Sequence, residues 1–472
     1  MTKTTSKMFS AGLARFFSLV AAVATLLLST VAHAAIDGET GPGFTLTASE
    51  GYISVADGGS IYSWGYSIDG VMQLPGPTLI VNQGDTVTVE LTNALPAAAG
   101  NVSIVFPGHQ VTTTSGDAGV AGPLTQEATP GGTVTYTFTA NEPGTYQYHS
   151  GSQPDLQVEM GLYGALIVRP SSPITGCATI GGQMAYDHAG ACFDREYLFL
   201  LSQIDIDIHQ AAEMQSGGTG PIEVPLGAYH SEYWLINGRA GPDTMAAAGR
   251  DVLPHQPYNS FPRMHPGEEL LLRVVGAGRE LHPFHTHGNH ARVLARDGRL
   301  LVNDANHLAG PLLFTIPAVP GGTTDAIFEW TGKDLGWDVY GHAADIDNAP
   351  TGNFPGTEDV DHNGDGLIDV VALEPNEWAA DHGRPIPVTL PSLSSLAFGG
   401  FYSGSPYLGG MGGSLPPGEG GLNPAAGFAY MWHSHNEREL VNNDVFPGGM
   451  MTMLIIEAPG VDISLSDPTE AP

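Results

Sequence analysis

Histidines at alternate positions carry the clearest chemistry in this chain. His285 and His287 lie in LHPFHTHGN, preceded by His282, and His433 and His435 lie in YMWHSHNE. On an extended strand, residues i and i+2 project from one face, so each H-x-H presents two imidazoles side by side. Two such strands brought together offer a set of nitrogen donors within a few ångströms. Imidazole suits Cu, Zn, Fe and Ni, and the Irving–Williams order favours Cu(II). One H-x-H alone is commonly structural or surface; two, one of them extended to H-x-x-H-x-H, point to a metal site.

The elements that must position these residues read as strands. From Pro75 onward, strand-like runs alternate with turn signals: PGPTLIVNQGDTVTVELTNAL, GGTVTYTFTANEPGTYQYH and GLYGALIV. Thr86, Thr88 and Glu90 alternate with Val87, Val89 and Leu91, the period of a strand with one buried face. Helical periodicity is scarce. A β-sandwich of short antiparallel strands ending near Pro170 follows. A second block, from REYLFLL through MHPGEELLLRVVG and VPGGTTDAIFEW, repeats the grammar: a tight turn before one strand, then Pro-Gly-Gly-Thr before another. This predicts an internal duplication and an all-β chain of two sandwiches, over 35–172 and 195–460 with a linker at 173–194. Between 343 and 427 the pattern dissolves into Gly, Pro, Asn and Asp, an insertion in the second sandwich, and 461–472 reads as a flexible tail.

Composition narrows the partners. Acidic side chains outnumber basic ones 49 to 16 in 472 residues. Three of the basic ones (Lys3, Lys7, Arg15) precede the apolar run Phe16 to Leu28 and the Ala32-His33-Ala34 site, a layout that predicts a secretory signal over 1–34. Without those three, 13 basic residues face 49 acidic ones, a balance of −36. Such a polyanion repels phosphate backbones, so nucleic acid is excluded and metal cations are the favoured partners. No later segment is long and apolar enough to span a membrane, and the mature chain is expected to be periplasmic or extracellular. In that compartment Cys177 and Cys192, the only cysteines and 15 positions apart, read as a disulfide.

PGPTLIVNQGDTVTVELTN, GTYQYHSG, GLYGALIV, HPFHTHG and WHSH followed by PGGMM resemble, in order, the signature blocks of multicopper oxidases, the cupredoxin family that includes laccases. With two such blocks the chain looks closer to the two-domain members. The resemblance implies Greek-key cupredoxin sandwiches, copper, and a three-copper cluster held by four H-x-H pairs. It also implies clusters formed between subunits, commonly in a trimer. Matched by position, His285/His287 and His433/His435 are intact third and fourth pairs. The second keeps His149 but has Gly151, and the first is replaced by Val105 and Pro107, with His109 as a nearby substitute. His282 matches the first histidine of the blue copper site.

The chain departs from that family at the blue copper. The cysteine expected between the histidines of the fourth pair is Ser434, and the second blue-site histidine falls on Glu439. Met450 and Met451 match the axial position only loosely. A thiolate supplies the Cu–S bond of a blue site, and a neutral serine hydroxyl cannot. Copper nitrite reductases place that cysteine after a Tyr-His step; here Tyr148-His149 is followed by Ser150. Glu437 and Glu439 themselves read as solvated surface.

Within the insertion, Asp361, Asn363, Asp365 and Asp369 place oxygen donors at positions 1, 3, 5 and 9 of an EF-hand-type loop. Leu367 offers its carbonyl at 7, and Ala372 replaces the usual Glu at 12. A weak calcium site that stiffens the insertion is expected. Three functions stay open: an exported copper-binding protein with altered or lost oxidase activity, a working oxidase with a non-standard electron route, and a calcium-stabilised assembly protein.

Overall fold

The structure, a computed structural model, describes residues 36–115, 119–171, 177, 183–224, 227, 229–249, 252–330, 428–457 and 463. It also gives the backbone of short strands at Ala343–Ala344, Glu358–Val360, Asp369–Val370 and Gly404–Pro406. The expected signal segment, most of the insertion, and Asp361, Asn363, Asp365 and Leu367 lie outside the described residues.

The fold is all-β, built around two main hydrophobic cores. In the first, Gly144–His149, Tyr163–Arg169, Leu79–Asn82 and Glu39–Thr40 form one sheet. Facing it is a five-stranded sheet in the order Ser60–Ser67, Gly43–Ser54, Thr86–Asn93, Thr133–Thr139, Thr112–Ser115. The alternation read from the sequence is what fills the space between them: Val87, Val89 and Leu91 are buried against Leu79, Leu166 and Tyr148, while Thr86 and Glu90 face solvent. Full burial of each such side chain contributes on the order of 1.5–3 kcal/mol.

The second core repeats this arrangement. Arg195–Ile204 runs parallel to Glu269–Gly276, which pairs antiparallel with Thr323–Glu329; Gly43–Ser54, Thr86–Asn93 and Thr133–Thr139 do the same in the first. Opposite lies a sheet in the order Arg263–Met264, Met451–Ile456, Phe428–Ser434, His282–Thr286, Thr315–Ala318. Equivalent turns share backbone geometry: Gly131 and Gly321 of the two Pro-Gly-Gly-Thr runs have φ of 76° and 79°. A left-handed residue there is what glycine alone adopts without strain.

Two features differ from the sequence reading. The sheets are mixed, because the chain crosses between sheets at tight turns such as 83–85, which brings strands distant in sequence into parallel register. An eleven-residue helix, Ile206–Ser216, follows the Arg195–Ile204 strand. Asp205 caps it, accepting from the amides of Asp207 and Ile208, and Ile208 and Ala212 pack into the first core. Cys177 and Cys192 form the expected disulfide.

Candidate metal centre

The sheet of the second sandwich places the histidines. His282–Thr286 and Phe428–Ser434 pair antiparallel with His285 directly opposite His433. His287 and His435 lie just beyond the ends of these strands, and the backbone ties both down. Trp432 Nε1 donates to the His287 carbonyl at 3.0 Å, and the His435 amide donates to the Pro283 carbonyl at 2.8 Å. Beneath, Trp432 packs edge to face with Phe284 and Phe328, and Phe199 lies tilted against Phe284, giving the two strands a rigid floor.

One ring nitrogen from each of His285, His287 and His433 lies within 4.8 Å of the other two. His287 Nε2 and His433 Nε2 are 3.1 Å apart, close to the separation of two nitrogens on one ion at metal–nitrogen bonds of about 2.0–2.1 Å. His435 joins them with its ring centroid 4.8 Å from that of His285. The outer nitrogens are engaged: His433 Nδ1 with the Ser434 carbonyl at 2.6 Å and His285 Nδ1 with Thr315 Oγ1 at 3.0 Å. A carbonyl can only accept, so His433 is held with its proton on Nδ1 and its Nε2 lone pair turned inward.

Electrostatics suits a cation. Burial, then the neighbouring imidazoles, lowers His285 to about 3, and burial lowers His433 to about 4. Both are therefore neutral donors at pH 7. Desolvated imidazoles crowded together gain little from one another, whereas a shared metal ion satisfies them all.

Other expected residues are placed elsewhere. His149 ends the Gly144–His149 strand of the first sandwich, with Nδ1 2.9 Å from the Ser150 carbonyl, and is not among the grouped nitrogens. His282 is fully buried, with its two ring nitrogens 3.0 Å from Glu439 and from Gln203. Glu439 corrects the surface reading: it is 1% exposed, drawn inward by His282 and Asn436. Glu437 is on the surface as expected, its side chain 86% exposed. Thr315 and Gln203 were not legible as site residues, since neither belongs to a chemical motif and only the fold brings them to histidines.

A profile of the multicopper oxidase family matches residues 57–173. Over that stretch the chain is similar to multicopper oxidases. Among relatives, laccase abr2 of Aspergillus fumigatus is 38% identical over 98 residues, 21% of this chain and 16% of that protein. An L-ascorbate oxidase of Cucurbita pepo is 42% identical over 98 residues, 21% of this chain and 17% of that protein. The chain thus spans about a sixth of the length of these curated relatives. A blue copper oxidase structure from Nitrosomonas europaea shares 18% identity at a TM-score of 0.49, over 88% of this chain and 86% of that one. Copper is the metal that this similarity points to, and the donors fit it: imidazole nitrogens, with His285 and His433 held neutral and their outer nitrogens partnered.

Proposed function

We propose that this chain is an exported copper-binding protein of the multicopper oxidase family, of the two-domain type, holding copper through His285, His287, His433 and His435 and lacking a blue copper. The observation that carries the reading is the pairing of His285 with His433, with His287 beside them, where burial keeps His285 and His433 unprotonated. Copper bound there supplies one-electron exchange and Lewis acidity. The chain's own part is to present oriented lone pairs: Thr315 fixes the His285 ring, the Ser434 carbonyl fixes the His433 ring, and the aromatic floor backs the two strands.

The blue site is absent on this reading because Ser434 and Glu439 offer oxygen where a thiolate and an imidazole are required. His149 is a further ligand only if a second copy of the chain brings it to the cluster, as the family resemblance implies. The 361–372 loop carries the calcium part of the reading on its sequence alone.

Elemental analysis and a visible spectrum of copper-loaded, dialysed protein test this. Retained copper without intense blue absorption is expected. An intense blue band sinks the claim about Ser434, since sulfur must then come from elsewhere. Loss of all copper on dialysis sinks the reading itself.

A further inference from the structure

His282 is the histidine of the HPFHTH run that stands apart from the cluster. Its Nδ1 lies 3.0 Å from Glu439 Oε2 and its Nε2 3.0 Å from Gln203 Oε1. The direction of these bonds is set from further away. Gln203 Nε2 donates to the Tyr229 hydroxyl at 2.8 Å, which turns the amide oxygen toward His282. An oxygen can only accept from a ring nitrogen, so Nε2 carries hydrogen. Nδ1 faces Glu439 Oε2, so both ring nitrogens are already engaged by oxygens of the protein.

Glu439 in turn ties down the segment that bears His435. Its other oxygen accepts from Asn436 Nδ2 at 2.9 Å, and the Asn436 amide donates to Ser434 Oγ at 3.2 Å. The Glu439 amide donates to the Asn436 carbonyl at 2.9 Å, and the Glu439 carbonyl accepts from the Met450 amide at 2.8 Å. His282 and Glu439 are both buried, so neither can exchange this partner for water without opening the segment.

We propose that His282 and Glu439 form a buried hydrogen-bonded clamp, oriented by Gln203 and Tyr229, that positions the 434–439 arm and so sets His435 against His285. The proposal rests on the reading that His433 and His435 hold copper. It makes His282 and Glu439 positioning residues instead of the ligands that the family resemblance implies for His282 and, by spacing, for Glu439.

The test uses the full chain with His282→Gln, Glu439→Ala and the milder Glu439→Gln, read by copper per chain, copper electron paramagnetic resonance, and amide hydrogen exchange of metal-free protein. All three variants are expected to bind as many copper ions as the wild type. His282→Gln and Glu439→Ala weaken copper retention about tenfold or more and change the hyperfine pattern, as loss of an outer-shell partner does. They also speed exchange at the Asn436 and Glu439 amides, with Glu439→Gln in between. Loss of one copper per chain in His282→Gln overturns the proposal by making His282 a ligand. An unchanged spectrum together with unchanged exchange overturns it as well. If the wild type binds no copper, the copper reading alone has failed, and exchange in the metal-free variants still decides for or against the clamp.

Discussion

In the second sandwich His285 faces His433 across neighbouring strands; at the matching place in the first, Val105 faces His149. The backbone frame is alike, down to the reciprocal hydrogen bonds of Val105 and His149 at 2.9 and 3.3 Å. The contents differ. Where the second region gathers imidazoles, the first holds a closed network of hydroxyls and amides. Ser150 Oγ donates to Gln157 Oε1 at 2.6 Å, Ser152 Oγ to Glu127 Oε1 at 2.7 Å, and Ser103 Oγ lies 2.9 Å from Ser152 Oγ. Gly151, the counterpart of His435, has no room for a side chain: a Cβ would come 2.8 Å from Val105 Cγ1 and 3.1 Å from Ser103 Oγ. The frame therefore does not require histidines. A polar network satisfied from within the chain serves in one copy, and the clustered imidazoles of the other are left to a ligand.

That contrast breaks most directly by removing imidazoles from each copy. His285→Ala combined with His433→Ala is expected to weaken copper binding by more than about 100-fold, beyond what losing an outer-shell partner costs. His149→Ala, measured on monomeric protein by the same equilibrium dialysis against a copper chelator, changes it less than about tenfold. Equal losses in the two proteins would place His149 at the same centre and abolish the distinction between the regions.

How much of this could be read from the sequence follows the range of the interactions. The period-2 run around Val87, Val89 and Leu91, the two Pro-Gly-Gly-Thr turns and the paired H-x-H motifs are local patterns, and each was legible. That His285 meets His433 in register needed only the idea that the two motifs converge. The parallel pairing of Gly43–Ser54 with Thr86–Asn93 was not legible, because it depends on the chain crossing between sheets. The burial of Glu439 was hidden too. A glutamate in NEREL reads as solvent-facing, and only His282, 157 positions away, explains why it turns inward.

The comparison sharpens if the first region is given the second's residues. Val105→His together with Gly151→His restores two of the three histidines missing from the family pattern in that region. The double variant is expected to lose about 1–3 kcal/mol in denaturant unfolding, the cost of overpacking a closed core, and to gain no copper by elemental analysis. Undiminished stability with an extra copper per chain would show that the frame itself is permissive and that the two regions differ only in ligands.

The smallest expected effect concerns His109, which with His149 makes up the imidazoles described in the first sandwich. His109 is wedged between Phe138 and Tyr146, with ring centroids 4.7 and 4.5 Å away, and its Nε2 is buried without a hydrogen bond. Burial lowers it to about 4, from an ordinary value near 6.5. Between those limits the unfolded chain binds the proton and the folded chain does not, so stability falls as pH drops through that window and is flat above pH 7. His109→Phe removes the titration while keeping the aromatic packing. Relative to the wild type the variant should therefore gain more in urea midpoint at pH 5 than at pH 7.5, where only the unpaired nitrogen is removed. A gain of the same size at both values would mean that the ring sits there for its shape alone, and a loss at pH 7.5 would give the imidazole a partner, in keeping with the substitute-ligand role that its place beside the lost pair suggests.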